Sequence, residues 1–314
     1  FRTSGANVVN VRLTAAGNLQ LWNNEDSAQV GSNSSALSTA TWYRVEMACD
    51  TTTLAATVVA ARIDGTEFAS GTINLAINPP NVGCSCPGDT TLDYIVDDLA
   101  LNDSTGSFQN SYPGEGEIIH LRPNEAGDNA AWTRGGTDSG ANWSQMDEIT
   151  PNDATDYVLS NTSGTTDDHN IDAVPAAMAS DDVINCVQVG VRAAVDNATG
   201  GDPDIVLRIK ASASGTVEES ASLDCNSVTW QSPSPRPLNE IYSLTLYDLP
   251  GASTTAWTPA DLGTAQIGIR ESVTDTHNAL VSAIWLLVDH KPAVVGGAGR
   301  VPSPVMQPGL WGPI

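Results

Sequence analysis

Residues able to support nucleophilic catalysis are sparse in this sequence. Such catalysis needs a serine or cysteine beside a base, which is usually a histidine. The chain has four histidines, His120, His169, His277 and His290, and it contains no Gly-x-Ser-x-Gly motif. The triplet Asp138-Ser139-Gly140 lies in a polar stretch without an oxyanion-hole motif. We therefore do not expect a nucleophilic serine.

Carboxylate pairs offer no catalytic arrangement either. Glycoside hydrolysis needs two carboxylates about 5 to 10 Å apart across a cleft. Concanavalin-like hydrolases present them as Glu-x-Asp-x-x-Glu, a pattern that does not occur here. Asp97 and Asp98 are adjacent in a predicted strand, so their side chains would point to opposite faces. The sequence therefore predicts a protein that is not an enzyme.

Calcium is the one cofactor for which the sequence offers ligands. Asp196, Asp202 and Asp204 share one loop, and the segment 167–172 is similarly rich in oxygen ligands. Neither has EF-hand spacing, and Asp and Asn also favour plain turns because they bond their own backbone. Calcium binding and an ordinary Asx-rich turn both stay open. Cys84-Ser85-Cys86 lacks the second cysteine pair or nearby histidine of a zinc site.

The charge of the chain argues against two classes of partner. The formal net charge is -24 at pH 7, from 13 basic and 37 acidic residues. Such a chain repels phosphate backbones and anionic membrane surfaces, so we expect neither nucleic-acid nor membrane partners. No stretch has the roughly 18 to 20 apolar residues that span a bilayer. The chain opens at Phe1 without an initiator methionine, which suggests processing or a longer parent protein.

Alternating strand patterns bounded by Gly, Asn, Asp and Ser dominate the sequence and predict an all-β fold. In a first domain, residues 1–104, the predicted strands are 8–13, 19–22, 28–30, 42–49, 53–63, 67–73 and 94–101. In a second domain, residues 117–292, they are 117–121, 157–159, 183–195, 204–212, 217–223, 241–247, 265–271 and 280–288. Long loops are predicted at 124–156 and 161–180. Short strands with so few helical patterns indicate two antiparallel, jelly-roll-like β-sandwiches.

Composition also marks a linker and a terminal arm. Residues 105–116 are rich in Asn, Ser and Gly and predict a linker. Residues 293–314 are rich in Gly and Pro, which disfavour a helix or a central strand. This stretch nevertheless carries apolar side chains that a solvated linker does not need: Val301, Val305, Met306, Leu310, Trp311 and Ile314. We predict an extended C-terminal arm that docks on another subunit, with a disordered tail as the alternative.

The tryptophans suggest both core and surface roles. Trp42, Trp257 and Trp285 occupy strand-like positions and are predicted to lie in the core. Trp132 and Trp143 lie in a Gly/Asn-rich stretch and are predicted to be exposed. This second pair is a candidate for glycan stacking or for contact with a neighbouring subunit.

Several motifs of the second domain follow one another in a specific order. Trp143-Ser144-Gln145-Met146-Asp147-Glu148 precedes Pro151-Asn152-Asp153-Ala154-Thr155-Asp156-Tyr157-Val158 and Thr165-Thr166-Asp167-Asp168. The closing motifs are Trp257-Thr258, Asp261-Leu262, Gly268-Ile269 and Ile284-Trp285. This order, over about residues 115–290, resembles a pattern in virion proteins of tailed phages. The resemblance implies a structural β-sandwich subunit.

The first domain carries a second set of motifs. They are Gly17-Asn18-Leu19-Gln20-Leu21-Trp22, Thr41-Trp42-Tyr43-Arg44-Val45-Glu46 and Tyr94-Ile95-Val96-Asp97-Asp98-Leu99-Ala100-Leu101. They resemble the later half of a laminin-G/concanavalin-like jelly roll, so the earlier strands would precede Phe1. In phages such domains bind glycans or are purely architectural, and the resemblance leaves both roles open.

These observations together predict a non-enzymatic structural component of a phage particle, on the virion exterior. An exposed capsid decoration or fibre-like protein fits best. It would form a homo-oligomer and contact other virion proteins through subunit contacts and the C-terminal arm. The alternatives are a tail-fibre or tail-tip adhesin, or a secreted module, that binds host glycans.

Overall fold

The computed structural model describes residues 8–76, 95–100, 112–176, 178–197, 203–225, 240–246, 250–251 and 255–292. These residues form 18 strands and one short α-helix, α1, at Pro259–Leu262. The predicted all-β fold with antiparallel sheets is confirmed. The chain divides into two compact units, unit 1 at residues 1–115 and unit 2 at residues 116–314. The division falls within the stretch predicted to be a linker.

Unit 1 contains two three-stranded antiparallel sheets, with the orders β1–β2–β3 and β4–β5–β6. The strands are β1 (Val9–Leu13), β2 (Leu19–Asn23), β3 (Ala28–Val30), β4 (Val45–Asp50), β5 (Thr57–Ile63) and β6 (Thr66–Ile73). Asp64 and Gly65 join β5 to β6 with φ values of 49° and 79°. Asp and Gly adopt this left-handed conformation more readily than most residues, which favours a tight hairpin here.

The core of unit 1 is small and contains side chains from both sheets. Its buried members are Val8, Val9, Leu21, Val30, Val59, Ala61, Ala69, Ile73 and Leu75. Two glycines let β3 and β6 approach each other closely. A Cβ atom on Gly71 would lie 2.7 Å from Val30 Cγ1, and one on Gly31 would lie 3.0 Å from the Ser70 backbone nitrogen.

Two predictions for unit 1 are wrong. Residues 95–100 form no strand, and Ile95 and Leu99 are 63% and 62% exposed. An alternating pattern becomes a strand only where a neighbouring strand pairs with its backbone, and no described strand pairs with this segment. Trp42, predicted to be in the core, is 58% exposed because β4 begins only at Val45 and leaves Trp42 in the preceding loop.

Unit 2 contains two six-stranded antiparallel sheets. The first has the order β16–β12–β18–β10–β9, with β7 also paired to β18, and the second has the order β14–β13–β17–β11–β8, with β15 also paired to β13. The first sheet comprises β7 (Glu117–Leu121), β9 (Thr133–Gly136), β10 (Asp156–Ser160), β12 (Val183–Val195), β16 (Glu240–Leu246) and β18 (Ala279–Lys291). The second comprises β8 (Pro123–Ala130), β11 (Thr166–Ile171), β13 (Asp204–Lys210), β14 (Val217–Glu219), β15 (Leu223–Asp224) and β17 (Gln266–Glu271).

One large apolar core includes side chains from both sheets of unit 2. Alternate residues of the long strands enter it, including Val187, Val189, Val191, Ile205, Leu207, Ile209, Ile267 and Ile269. The predicted strand 183–195 is confirmed over its full length. Trp257 is 2% exposed and lies in this core as predicted, whereas Trp285 is only partly buried.

Three strands of unit 2 were not predicted. β9 and all but the first residue of β8 lie within the predicted loop 124–156, and β11 lies within the predicted loop 161–180, so these loop predictions are wrong. The missed strands are rich in Asp, Asn, Gly and Thr, residues that do not alternate with aliphatic ones here. β11 is nevertheless a central strand, paired with β8 on one side and β17 on the other. It positions the charged residues described next.

Candidate functional site

Six charged side chains form a connected network on one sheet of unit 2, here called the charge network. Its members are Asp128, Asp168, Arg208, Lys210, Glu219 and Arg270. In β13 the inward positions are aliphatic, as Leu207 and Ile209 show. Arg208 and Lys210 alternate with them and therefore lie on the outer face of the sheet.

Asp168 is the centre of the charge network. Its carboxylate accepts hydrogen bonds from Arg208 Nε at 3.0 Å and Lys210 Nζ at 3.2 Å, and also from the Asn129 side-chain amide. The residue is only 1% exposed. Gly268, opposite Asp168 in β17, leaves room for the carboxylate, because a Cβ atom there would collide with Oδ1. A buried carboxylate is therefore matched by three donors.

Lys210 has a second carboxylate partner. Its Nζ donates to Asp128 Oδ2 at 2.8 Å, and Asp128 also accepts from the Ser214 backbone at 2.6 Å. Together these hydrogen bonds lower the pKa of Asp128 to about 2, the bond from Lys210 contributing most. The pairing of β8 with β11 is irregular opposite Asp168, where it skips residues 127–129 of β8. This irregularity brings Asp128 and Asn129 to the network.

Glu219 connects Arg270 to Arg208 and so to the rest of the charge network. It accepts two hydrogen bonds from Arg270, at 3.0 and 2.7 Å, and one from Arg208 at 2.6 Å. The paired arginine lowers the pKa of Glu219, and the hydrogen bond to Glu219 raises that of Arg270. Three carboxylates thus balance three cations across β8, β11, β13, β14 and β17. These ion pairs connect the five strands. Removing one partner from a buried pair would leave a buried charge unpaired.

A second set of ionisable residues points into the core of unit 2. Asp167 and His169 flank Asp168 in β11, and each is paired with an inward-facing isoleucine of β17. Burial raises the pKa of Asp167 to about 7 and lowers that of His169 to about 4. Glu271 is 0% exposed, and burial raises its pKa to about 8. Among the described residues, both nitrogens of His169 and both carboxylate oxygens of Glu271 lack a side-chain hydrogen-bond partner.

The predicted exposure of Trp132 is wrong. Trp132 is 4% exposed, and its indole nitrogen donates to the Thr165 backbone oxygen at 3.1 Å. The hydrogen bond satisfies the polar edge of the ring, which allows the rest of the side chain to join the core. Trp143 is partly buried in a short 3₁₀ turn at Trp143–Gln145. The two tryptophans therefore do not form an exposed pair, and their proposed glycan or subunit contacts stay predictions.

The calcium prediction is only partly covered by the described residues. Asp196 accepts from the Asn278 amide at 2.5 Å, and Asp204 accepts from the Ser222 hydroxyl at 2.9 Å. Asp202 lies outside the described residues. Within the part of the chain that the structure describes, no three His, Cys, Asp or Glu residues are grouped to hold a metal ion. Calcium binding by Asp196, Asp202 and Asp204 stays a prediction.

The remaining predicted sites cannot be placed. The residues of the C-terminal arm, Val301, Val305, Met306, Leu310, Trp311 and Ile314, lie outside the described residues, as do Cys84 and Cys86.

Cys49, Cys186 and Cys225 are free thiols. Burial raises the pKa of Cys186 to about 11 and raises that of Cys225 further, so neither is a reactive thiolate. Among the described residues, no helix is both long and apolar enough to cross a membrane.

The comparisons with known proteins do not assign the chain to a family. No protein-family model matches the chain. No curated protein sequence is significantly similar to it.

The charge network could have been only partly anticipated. Lys210 is one of just two lysines in the chain, and together with Arg208 it alternates with aliphatic residues in one strand pattern, which is an unusual place for unpaired cations. That pattern signals a buried charge. The identity of its partners depends on β8 and β11, which lack a strand pattern.

Proposed function

We propose that the chain is a non-enzymatic structural component of a phage particle, exposed on the capsid as a decoration or fibre-like protein. It associates with itself and with other virion proteins. The proposal rests on the resemblance of its motifs to those of tailed-phage virion proteins. The structural roles of several motif residues in unit 2 support this proposal.

One observation carries the proposal: several of the motif residues in unit 2 have architectural roles. Asp168 is the centre of the charge network, and Gly268 provides the space for its carboxylate. Trp257 fills the core, and Asp261 caps helix α1 together with Thr258. A motif that preserves packing, caps and buried ion pairs is what a structural subunit requires. A catalytic motif would instead bring reactive groups to an accessible cleft.

The electrostatics are compatible with this role. The net charge of -24 keeps free subunits soluble and apart. Specific contacts must then overcome this repulsion, and the apolar side chains of residues 293–314 are the candidates for them. We therefore assign attachment to the C-terminal arm.

Deleting residues 293–314 tests the proposal. Particles of the phage that encodes the chain are assembled with either the intact chain or the 1–292 chain, and its copy number in purified particles is measured. The mass of both chains in solution is measured by light scattering, and circular dichroism checks that the truncated chain is folded. We expect a folded 1–292 chain that fails to enter particles. Equal incorporation of both chains would contradict attachment through the arm.

A further inference from the structure

The side chains of Lys210 and Asn129 meet at a single carboxylate oxygen of the charge network. Lys210 Nζ donates to Asp168 Oδ2 at 3.2 Å, and the side-chain amide of Asn129 donates to the same oxygen. Arg208 Nε holds the other oxygen, Oδ1, at 3.0 Å, so Oδ2 faces the amine and the carboxamide together. A nucleophile, an acyl acceptor and a group that can move a proton are therefore neighbours.

The fold brings these groups together from strands that are not adjacent. Lys210 lies in β13 and Asn129 in β8, and β17 and β11 lie between those strands in the sheet. Gly127 allows β8 to approach β11, since a Cβ atom there would lie 2.5 Å from the Asp168 backbone oxygen. Gly268 of β17 lies beside Asp168 and places no side chain between its carboxylate and β13. The contact thus depends on two glycines.

The surroundings of Lys210 favour its reaction with Asn129 over its reaction with Asp128. The Lys210 and Asp168 side chains are 3% and 1% exposed, and burial favours the neutral amine over the ammonium. Asp128 Oδ2 accepts from Lys210 Nζ at 2.8 Å, and its side chain is 27% exposed, so it can pass the lysine proton to water. Asp128 is ionised, because its pKa is lowered to about 2, and an anion resists nucleophilic attack. The carboxamide of Asn129 is neutral.

We propose that Lys210 and Asn129 become joined by an intramolecular isopeptide bond, with Asp168 as the group that moves the proton. The neutral Nζ attacks Asn129 Cγ, and a bond forms between these two atoms. Asp168 Oδ2 takes a proton from Nζ and delivers it to Asn129 Nδ2, the Cγ–Nδ2 bond breaks, and ammonia leaves. Nothing is oxidised or reduced. The chain reacts once, with itself, and the product joins β13 covalently to β8.

Mass spectrometry of the intact, denatured chain tests this proposal. We expect a mass below that of the sequence by one ammonia molecule and, after proteolysis, one branched peptide that contains both Lys210 and Asn129. A mass equal to that of the sequence, with the two residues recovered on separate peptides, would overturn the proposal. Loss of water, with a link from Lys210 to Asp128, would overturn the choice of Asn129 as the acyl acceptor.

Two variants remove the reacting groups one at a time. Lys210→Arg keeps the positive charge, but its guanidinium stays protonated and does not attack. Asn129→Ala removes the acyl acceptor at a position that is only partly buried, so it should fold even if Lys210→Arg does not. Circular dichroism checks the folding of each variant, and each folded variant should have the full mass of its own sequence.

The second lysine of the chain provides the matched control. Lys291→Arg makes the same substitution at the end of β18, outside the charge network, and should retain the loss of ammonia. A loss of ammonia in Asn129→Ala or Lys210→Arg equal to that of the wild type would contradict the assignment. Loss of the cross-link in Lys291→Arg would contradict it as well, because the nucleophile would then not be Lys210.

Discussion

The Asp168 carboxylate and the Lys210 ammonium lie 3.2 Å apart, and their side chains are only 1% and 3% exposed. Arg208 contacts the same carboxylate, and Asp128 contacts the same ammonium. Paired buried charges add little net stability relative to apolar residues, but a charge that loses its partner is costly. A register of β11 that separated these charges would therefore be disfavoured.

Asp168→Ala should destabilise unit 2 by about 3 to 5 kcal/mol, because it leaves the cations of Arg208 and Lys210 without their shared carboxylate. The loss is measured as a lower midpoint of urea unfolding. Arg270→Gln is the matched control, since Arg270 and Glu219 are 26% and 31% exposed. Its cost should stay below about 1 kcal/mol. Equal costs for the two variants would show that Asp168 is not the centre of the network.

Raising the pH from about 4 to about 8 should destabilise unit 2 through Glu271. Burial raises the pKa of Glu271 to about 8 from an ordinary value of 4.5, so the folded state keeps a proton that the unfolded state loses. The stability contributed by this proton is complete below about pH 4 and is lost as the pH rises towards about 8. Glu271→Gln stays neutral and should raise Tm at about pH 8 by roughly 2 to 4 °C relative to the wild type. The same Tm difference at about pH 4 as at about pH 8 would contradict this assignment.

Acid should destabilise unit 2 through His169. Burial lowers the pKa of His169 from 6.5 to about 4, so only the unfolded state gains a proton at intermediate pH. The stability contributed by the neutral imidazole is complete above about pH 6.5 and is lost as the pH falls towards about 4. His169→Gln should flatten the fall in Tm over this range. His277→Gln is the control, because the His277 side chain is 19% exposed and lies outside the core, and it should retain the fall of the wild type.

Gly190 provides the space for Trp285 between the two longest strands. The residues are directly paired across β12 and β18, and a Cβ atom at position 190 would collide with the indole ring. Gly190→Ala should cost about 1 to 3 kcal/mol by overpacking and should shift the tryptophan fluorescence. Gly263→Ala is the control, because its added Cβ would meet only the Ala260 oxygen at 3.4 Å. Unfolding midpoints that fall equally in both variants would rule out a special role for position 190.

The strands that could be predicted are those whose own residues alternate. β12 and β18 carry valine, isoleucine and leucine at regular intervals, so local sequence defines them. β11 reads Thr-Asp-Asp-His-Asn-Ile and has a single aliphatic residue. It is a strand because β8 and β17 pair with it, which is tertiary information that local patterns do not contain.

The candidate site was less predictable than the fold. Asp168 and Lys210 are 42 positions apart in sequence, and Trp132 is 33 positions from the oxygen that its indole contacts. The Gly- and Asn-rich surroundings of Trp132 suggest exposure, but a distant backbone acceptor allows its burial. Burial of polar groups depends on such long-range partners, and a single sequence does not identify them.

The copy number of the chain in purified phage particles tests the central claim most directly. Particles are separated from free protein on a density gradient, and the chain is quantified by mass spectrometry relative to the major capsid protein. The account predicts a fixed ratio to the capsid protein that is the same in independent preparations. A chain that is absent from the particles, and recovered only as free protein, would contradict its assignment as a structural component of the virion.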